Sequence, residues 1–399
     1  MRVRAWGAFA GIVALSAMVA WNANATWDYP TDAGPPIDAL IHGRIHDFLT
    51  ASPAMGPLSL FFRAPFAVLS RLTTPNDLFY DDVYRFGVFP CLVVAGMLGL
   101  LLARWMRNAG RPAIERFAVV ALCMINPVSL RAVDFGHPEE ILGGCLVVGS
   151  ALAGLRGRTW LAAILLCAAL LNKQWAVVAI VPVALTMDLR RLRTPAIALA
   201  GAGVLVLVPF LAVDAGPLFD VTKRLADLRH TFVLPASVWW PFFDRIPSAD
   251  AAHHVMPDWL GVVARPLLLL VCFGVALGFA KRVRRDPWRR ALPLLALVLL
   301  VRCMIDPLDN GYYHVPFFLA LVAADAISGR LVASLVATGS LFAITKLGSE
   351  PSVLNALYLC WALPFSVYLA GRAWGVDWAA LLRSRGVRGR AAAQTVHPS

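Results

Sequence analysis

The chain has 399 residues, of which 59% are hydrophobic and 15% charged, and it carries a net charge of +12. A soluble domain carries roughly 25% charged residues, so this composition excludes a soluble globular fold. Repeated apolar runs approach the roughly 20 residues that a helix needs to cross a bilayer, and the short alternating strands of an outer-membrane barrel are absent.

The sequence therefore predicts an all-α polytopic membrane protein forming a single integral membrane domain over residues 1–399. The positive charge does not read as a nucleic-acid footprint, because it falls mainly in short loops rather than on one face. Those loops are Arg2/Arg4, Arg104 to Arg116, Arg156/Arg158, Arg190 to Arg193, Lys281 to Arg290 and Arg372 to Arg390. Assigning them to the cytoplasm follows the positive-inside rule. Most acidic residues then lie on the other side. All seven cysteines sit in hydrophobic segments without a CxxC pair, which disfavours a disulfide frame or thiolate metal site.

Taken in order, residues 1–22 have a basic start and an apolar run, read as a retained first span. Ala23-Asn24-Ala25 also resembles a signal-peptidase site. Residues 23–83 form an extracytoplasmic loop with four carboxylates near its start: Asp28, Asp32, Asp38 and Asp47. The loop ends in PLSLFFRAPFAVLSRL, residues 57–72. Arg63 and Pro65 interrupt this stretch, so it reads as an interfacial or re-entrant helix with Arg63 and Arg71 reaching the headgroups.

The bundle runs over 84–370, with apolar segments at 84–103, 117–130, 138–155, 160–171, 175–187, 196–213, 260–280, 291–305, 315–327, 331–346 and 353–370. With the first helix this makes about 12 spans, both termini cytoplasmic. A second outside loop, 214–258, carries Trp239, Trp240, Phe242 and Phe243, which suit the aromatic belt at the headgroups. The tail, 371–399, reads as a basic cytoplasmic end near anionic lipid.

On this topology the unusual polar motifs reach one membrane face. They are the first loop's carboxylates, Asp134-Phe-Gly-His137-Pro-Glu139-Glu140, the hairpin tip Asn172-Lys173-Gln174, and Arg302 with Asp306-Pro-Leu-Asp309-Asn-Gly-Tyr312-Tyr313-His314. Ionisable groups inside a membrane bundle are functional candidates by default. Each also has a plainer account. Asp32 could cap a helix or tighten a turn. His137 could cap a helix start with acids behind it, Lys173 could snorkel, and Arg302 with Asp306 could form an ion pair one turn apart. His314 could be ordinary interfacial polarity. His137, Glu139, Glu140, His253 and His254 lack metal-ligand spacing, so no metal is expected, and no nucleotide loop is present.

The chain resembles the GT-C membrane glycosyltransferases, most closely glycosyltransferase family 87. The resemblance rests on Asp32 followed by Ala39-Leu40-Ile41-His42-Gly43, on Met55-Gly56-Pro57-Leu58, and on Asn126-Pro127 with Gly136-His137-Pro138-Glu139. Lys173-Gln174 and Tyr312-Tyr313-His314 complete it. It implies a GT-C-like bundle and an inverting transfer of a sugar, mannose or another hexose or pentose. The donor would be a polyprenyl phosphate and the acceptor an extracytoplasmic lipid or glycan, with no cofactor. Asp32 would be the general base with Asp38 as the alternative. Arg302, Lys173 and His314 would surround the donor phosphate. His137, Glu139, Glu140, Asp309, Tyr312 and Tyr313 would contact sugar or acceptor. Rival readings are a transporter or flippase of a lipid-linked or anionic substrate, for which no repeated halves are visible, and a non-catalytic cell-envelope assembly protein.

Overall fold

A computed structural model describes residues 2–26, 28–51, 55–73, 80–246, 253–376 and 378. Of the basic tail expected over 371–399, the first residues continue the last helix to Trp374, and apart from 375, 376 and 378 the rest lies outside the described residues. The first apolar run forms α1 (Arg2–Trp21), which packs on α6 (Tyr80–Asn108). Between them the acidic loop folds into short helices: α2 (Gly34–Ile41), α3 (Ile45–Thr50), α4 (Pro57–Ala67) and α5 (Ser70–Thr73). Prolines in the first turns of α2 and α4 start these helices where a missing N–H has no helical partner to lose. Gly43, at φ 69°, turns the chain between α2 and α3, a conformation favourable to glycine.

The bundle continues with α7 (Ala113–Met124), α8 (Pro127–Asp134), α9 (Pro138–Leu155), α10 (Thr159–Asn172) and α11 (Ile180–Ala184). The expected 117–130 segment is split. Asn126 accepts hydrogen bonds from the N–H groups of Val128 and Ser129, and Pro127 opens the new helix. The expected 175–187 helix is broken too, beginning as a 3-10 turn over Gln174–Ala179. Then come α12 (Leu189–Val213), α13 (Ala215–Ala226), the two-stranded ribbon β1 (Phe232–Val233) and β2 (His254–Val255), α14 (Asp258–Arg285), α15 (Pro287–Ile305), α16 (Val315–Ile327), α17 (Val332–Leu347) and α18 (Pro351–Trp374).

Among the described residues, six helical stretches are long and apolar enough to cross a membrane. They are Asp81–Asn108, Ala113–Asp134, Pro138–Leu155, Arg193–Val213, Asp258–Arg285 and Pro351–Trp374, and shorter apolar helices pack among them. Helices α9 and α16 are buried nearly all round, and α15 is buried beyond its first turn; apolar residues on every side suit this central position. By contrast α12 leaves most of its apolar surface uncovered, as a lipid-facing helix does.

One expectation about the outer loops is corrected. Arg63 does not reach the headgroups: it is fully buried, and only Arg71 is exposed. The cause lies at Gly56, whose N–H bonds the carbonyl of Asn172 at 3.0 Å. A Cβ at this position would fall 2.0 Å from the carbonyl oxygen of Leu171. The bare glycine thus lets α4 begin pressed against the end of α10, which turns Arg63 into the bundle.

The aromatic stretch of the second loop is docked on the bundle. The N–H of Val238 bonds Met304 O at 2.9 Å, and Trp239 Nε1 donates to Ile305 O at 2.7 Å. Trp239, Trp240 and Phe243 pack on a small core of Leu228, Val233, Met256, Leu260 and Ala264, leaving Phe242 exposed.

Candidate functional site

The site begins where the acidic loop meets the turn between α8 and α9. The loop is tied to α6 and α8 by Ala25 N–H to Asp81 (2.5 Å), Arg85 Nε to Ala23 O (2.9 Å) and Thr26 Oγ1 to Asp134 O (2.9 Å). Its next residues turn back on themselves, with Asp32 N–H bonding Asp28 O at 2.9 Å. Tyr29 is fully buried against Gly136, where a Cβ would lie 2.8 Å from Tyr29 Cβ. Gly136 also has φ 88°. Both features reserve this position for glycine, and they bring Asp28 onto His137.

His137 precedes α9 but makes no side-chain cap. Instead Nε2 donates to Asp28 Oδ2 at 2.9 Å, Nδ1 donates to Glu139 Oε1 at 2.7 Å, and the ring stacks on Tyr312 at 4.5 Å. A ring with both nitrogens facing carboxylates is arranged for the imidazolium form. Glu139 and Glu140 occupy the first turn of α9 with no solvent exposure. Lys173 Nζ reaches Glu139 Oε1 at 2.8 Å and Glu140 Oε1 at 3.4 Å, while Arg63 Nη1 lies 3.6 Å from Glu139 Oε2. At the α10 tip Asn172 is fully buried and its Nδ2 bonds Glu139 O at 2.9 Å.

A second cation joins Lys173 near Tyr313. Arg302 is buried, donates to Tyr313 O at 3.0 Å, and lies 4.5 Å from the Tyr313 ring and 5.6 Å from that of Trp175. The plainer account of Arg302, an ion pair with Asp306, is not met. Asp306 pairs with Arg265 of α14 at 2.5 Å, because a neighbouring helix brings a guanidinium closer than the turn above does. Tyr312 OH reaches Asp28 at 3.5 Å. His314 points its Nε2 to Tyr358 OH at 3.0 Å and to Asp309 Oδ2 at 3.6 Å.

The two carboxylates expected as base have different settings. Asp38 is engaged locally by Arg44 and His42. Asp32 is half-buried, makes no hydrogen bond from its carboxylate to a described residue, and lies in the electrostatic field of His137, Lys173, Asp28 and Glu139. Burial raises the Asp32 carboxyl above its ordinary value. The hydrogen bond from His137 holds Asp28 below the usual carboxylate range. Burial works against charging His137, but Glu139 and the bond to Asp28 outweigh it and raise the imidazole.

Sequence reasoning singled out His137, Glu139, Glu140, Lys173, Arg302, Tyr312 and Tyr313, and the fold brings them together. It passed over Asp28 as an individual, and over Arg63, Trp175 and Arg265. Arg63 and Arg265 did carry a signal, each being a charge within an apolar stretch. Several polar atoms in this shell have no hydrogen bond, among them both oxygens of Glu140, Asn172 Oδ1 and Trp175 Nε1. Polar groups buried this way are normally satisfied, so a polar ligand or water is their natural complement.

Fold and site define an all-α membrane protein with charged groups from distant segments gathered inside its bundle. The sequence model of glycosyltransferase family 87 matches residues 56–307, more than half of the chain. The chain belongs to glycosyltransferase family 87, a GT-C-type family, and is a membrane glycosyltransferase. No curated protein matches it. The matched region contains Arg63, His137, Glu139, Lys173 and Arg302; Asp28, Asp32 and Tyr312 lie outside it.

Proposed function

We propose that the protein transfers a sugar, mannose or another hexose or pentose, from a polyprenyl-phosphate donor to a lipid or glycan acceptor on the extracytoplasmic face, with inversion at the anomeric carbon. Asp32 is the general base. Its raised carboxyl and unengaged oxygens suit it to take the acceptor hydroxyl's proton as that oxygen attacks. The bond from the anomeric carbon to the phosphate oxygen breaks, and its electron pair leaves with the polyprenyl phosphate. Arg302 and Lys173 stabilise the charge that grows there.

His137, held between Asp28 and Glu139, orients the acidic loop. Glu140, Tyr312 and Tyr313 line the path of sugar or acceptor. The ring of His314 is engaged by Tyr358 and Asp309, so we leave the phosphate to Arg302 and Lys173. A donor that brings its own phosphate and hydrocarbon tail needs no nucleotide-binding domain.

The observation that carries this reading is the chain of contacts Asp28–His137–Glu139–Lys173, which joins the acidic loop to the buried cations. The test uses membranes supplied with a labelled polyprenyl-phosphate sugar. Wild-type protein is expected to transfer label to a lipid or glycan fraction, and folded Asp32→Asn is not. Undiminished transfer by Asp32→Asn removes it from the mechanism.

A further inference from the structure

One buried cluster is not used by this reading. Cys303 near the end of α15, Asp309 in the following loop and His314 just before α16 are all buried. Each offers one ligand atom such that the three atoms lie within 4.8 Å of one another. We propose that these three side chains bind a divalent ion of the zinc type, which fastens the loop between α15 and α16.

The geometry fits such an ion. His314 Nε2 and Asp309 Oδ2 are 3.6 Å apart. Ligands about 2.1 Å from a tetrahedral metal are separated by about 3.4 Å, so this edge is already nearly formed. The Cys303 sulfur, which donates to Tyr313 O at 3.3 Å as a thiol, lies within 4.8 Å of both and takes the third position as a thiolate, leaving the fourth to water. A thiolate, an imidazole and a carboxylate favour zinc over magnesium or calcium, which take oxygen sets. The two anionic ligands neutralise the ion's charge. Arg302 Nη1, 3.9 Å from the sulfur, favours the thiolate.

The second observation is a lack of partners. Both oxygens of Asp309 and Nδ1 of His314 are buried without a hydrogen bond of sound geometry among the described residues, their nearest polar neighbours being Tyr358 and the Gly311 backbone. A buried carboxylate left this way is costly, and coordination is one of the few arrangements that removes the cost. Tyr358 of α18, 3.0 Å from His314 Nε2 and close to Asp309, is placed to hydrogen-bond the ligating carboxylate and orient it. The loop held in this way carries Tyr312 and Tyr313, which face His137 and Arg302. By holding this loop, the ion sets the position of two tyrosines at the transfer site.

Full-length protein purified in detergent from zinc-supplied cells is expected to hold about one zinc per chain by elemental analysis. Cys303→Ala and Asp309→Asn are expected to lose it. A chelator should lower the melting temperature of the wild type and leave that of Cys303→Ala unmoved. Cobalt-reconstituted wild type should show a thiolate-to-metal charge-transfer band, absent from Cys303→Ser. Folded, monodisperse wild type with no zinc above the buffer blank and no cobalt band overturns the proposal, whether or not the variants fold. Stoichiometric zinc retained by Cys303→Ala overturns it as well. None of these readouts depends on glycosyl transfer.

Discussion

His137 and Asp28 lie 109 residues apart in the chain, and their side chains meet at 2.9 Å, with the same imidazole bonded to Glu139 on its other nitrogen. A loop outside the first helix is thereby coupled to a charge cluster inside the bundle. The consequences can be separated residue by residue.

Three carboxylates of the acidic loop should differ in effect. Asp32→Asn should lower transfer by about 10²–10⁴-fold, the range for loss of a general base. Asp28→Asn keeps the shape but weakens the bond to His137, and should give a smaller loss. Asp38→Asn should stay near wild type, since Asp38 is engaged by Arg44 and His42 on its own loop. Initial rates with labelled donor, normalised to folded protein, check the order.

Glu139 is the hub of three cationic groups, Lys173, His137 and Arg63. Glu139→Gln should destabilise the fold by about 3–5 kcal/mol, because it leaves buried positive charges without their counter-ion. Thermal unfolding in detergent measures this. A melting temperature equal to that of the wild type would show that the charges are solvated by other means.

Gly136→Ala places a methyl 2.8 Å from Tyr29 Cβ and 2.9 Å from its amide nitrogen, at a backbone angle that alanine resists. The loop must retreat, and Asp28 and Asp32 retreat with it. Activity should fall more than stability does, because the displacement is centred on the loop and leaves the interior of α9 untouched. Comparing rate with melting temperature distinguishes this from general unfolding.

The pH dependence follows from the shifts at Asp32, His137 and Asp28. Asp32 must be ionised to act, and its raised value moves the acid limb of the rate profile above that of an ordinary carboxylate. His137 has a raised value in the fold. Its contribution to stability is therefore complete below about pH 6.5, the ordinary imidazole value, and is lost as pH rises through the folded one. Asp28, lowered in the fold, contributes above its ordinary value and loses that contribution as pH falls through the folded one. Activity should be bell-shaped, and His137→Gln should flatten its alkaline limb.

The sidedness proposed for the site is tested by single-cysteine labelling in intact cells, on a background lacking the exposed Cys360 and the partly exposed Cys167. Cysteines at positions 38 and 253 should react with an impermeant reagent, and one at position 191 only after permeabilisation. Labelling of position 38 from the cytoplasmic side alone would invert the whole arrangement.

Composition and apolar spacing were enough to establish an all-α membrane protein. The motifs Asp32, His137-Pro138-Glu139, Lys173 and Tyr312-Tyr313 were legible because polar groups stand out in a hydrophobic chain. Periodicity could not show which of them touch. Asp28 rather than Asp32 meets His137 because Gly136 admits Tyr29, and Arg63 turns inward because Gly56 admits the end of α10. Arg265 displaces Arg302 as the partner of Asp306 because α14 packs beside α15. The hydrophobic effect depends on how much apolar surface is covered and has no direction, so it is written plainly in composition. A hydrogen bond is fixed by distances of a few tenths of an ångström and by angle, and these exist only once helices far apart in sequence have been pressed together.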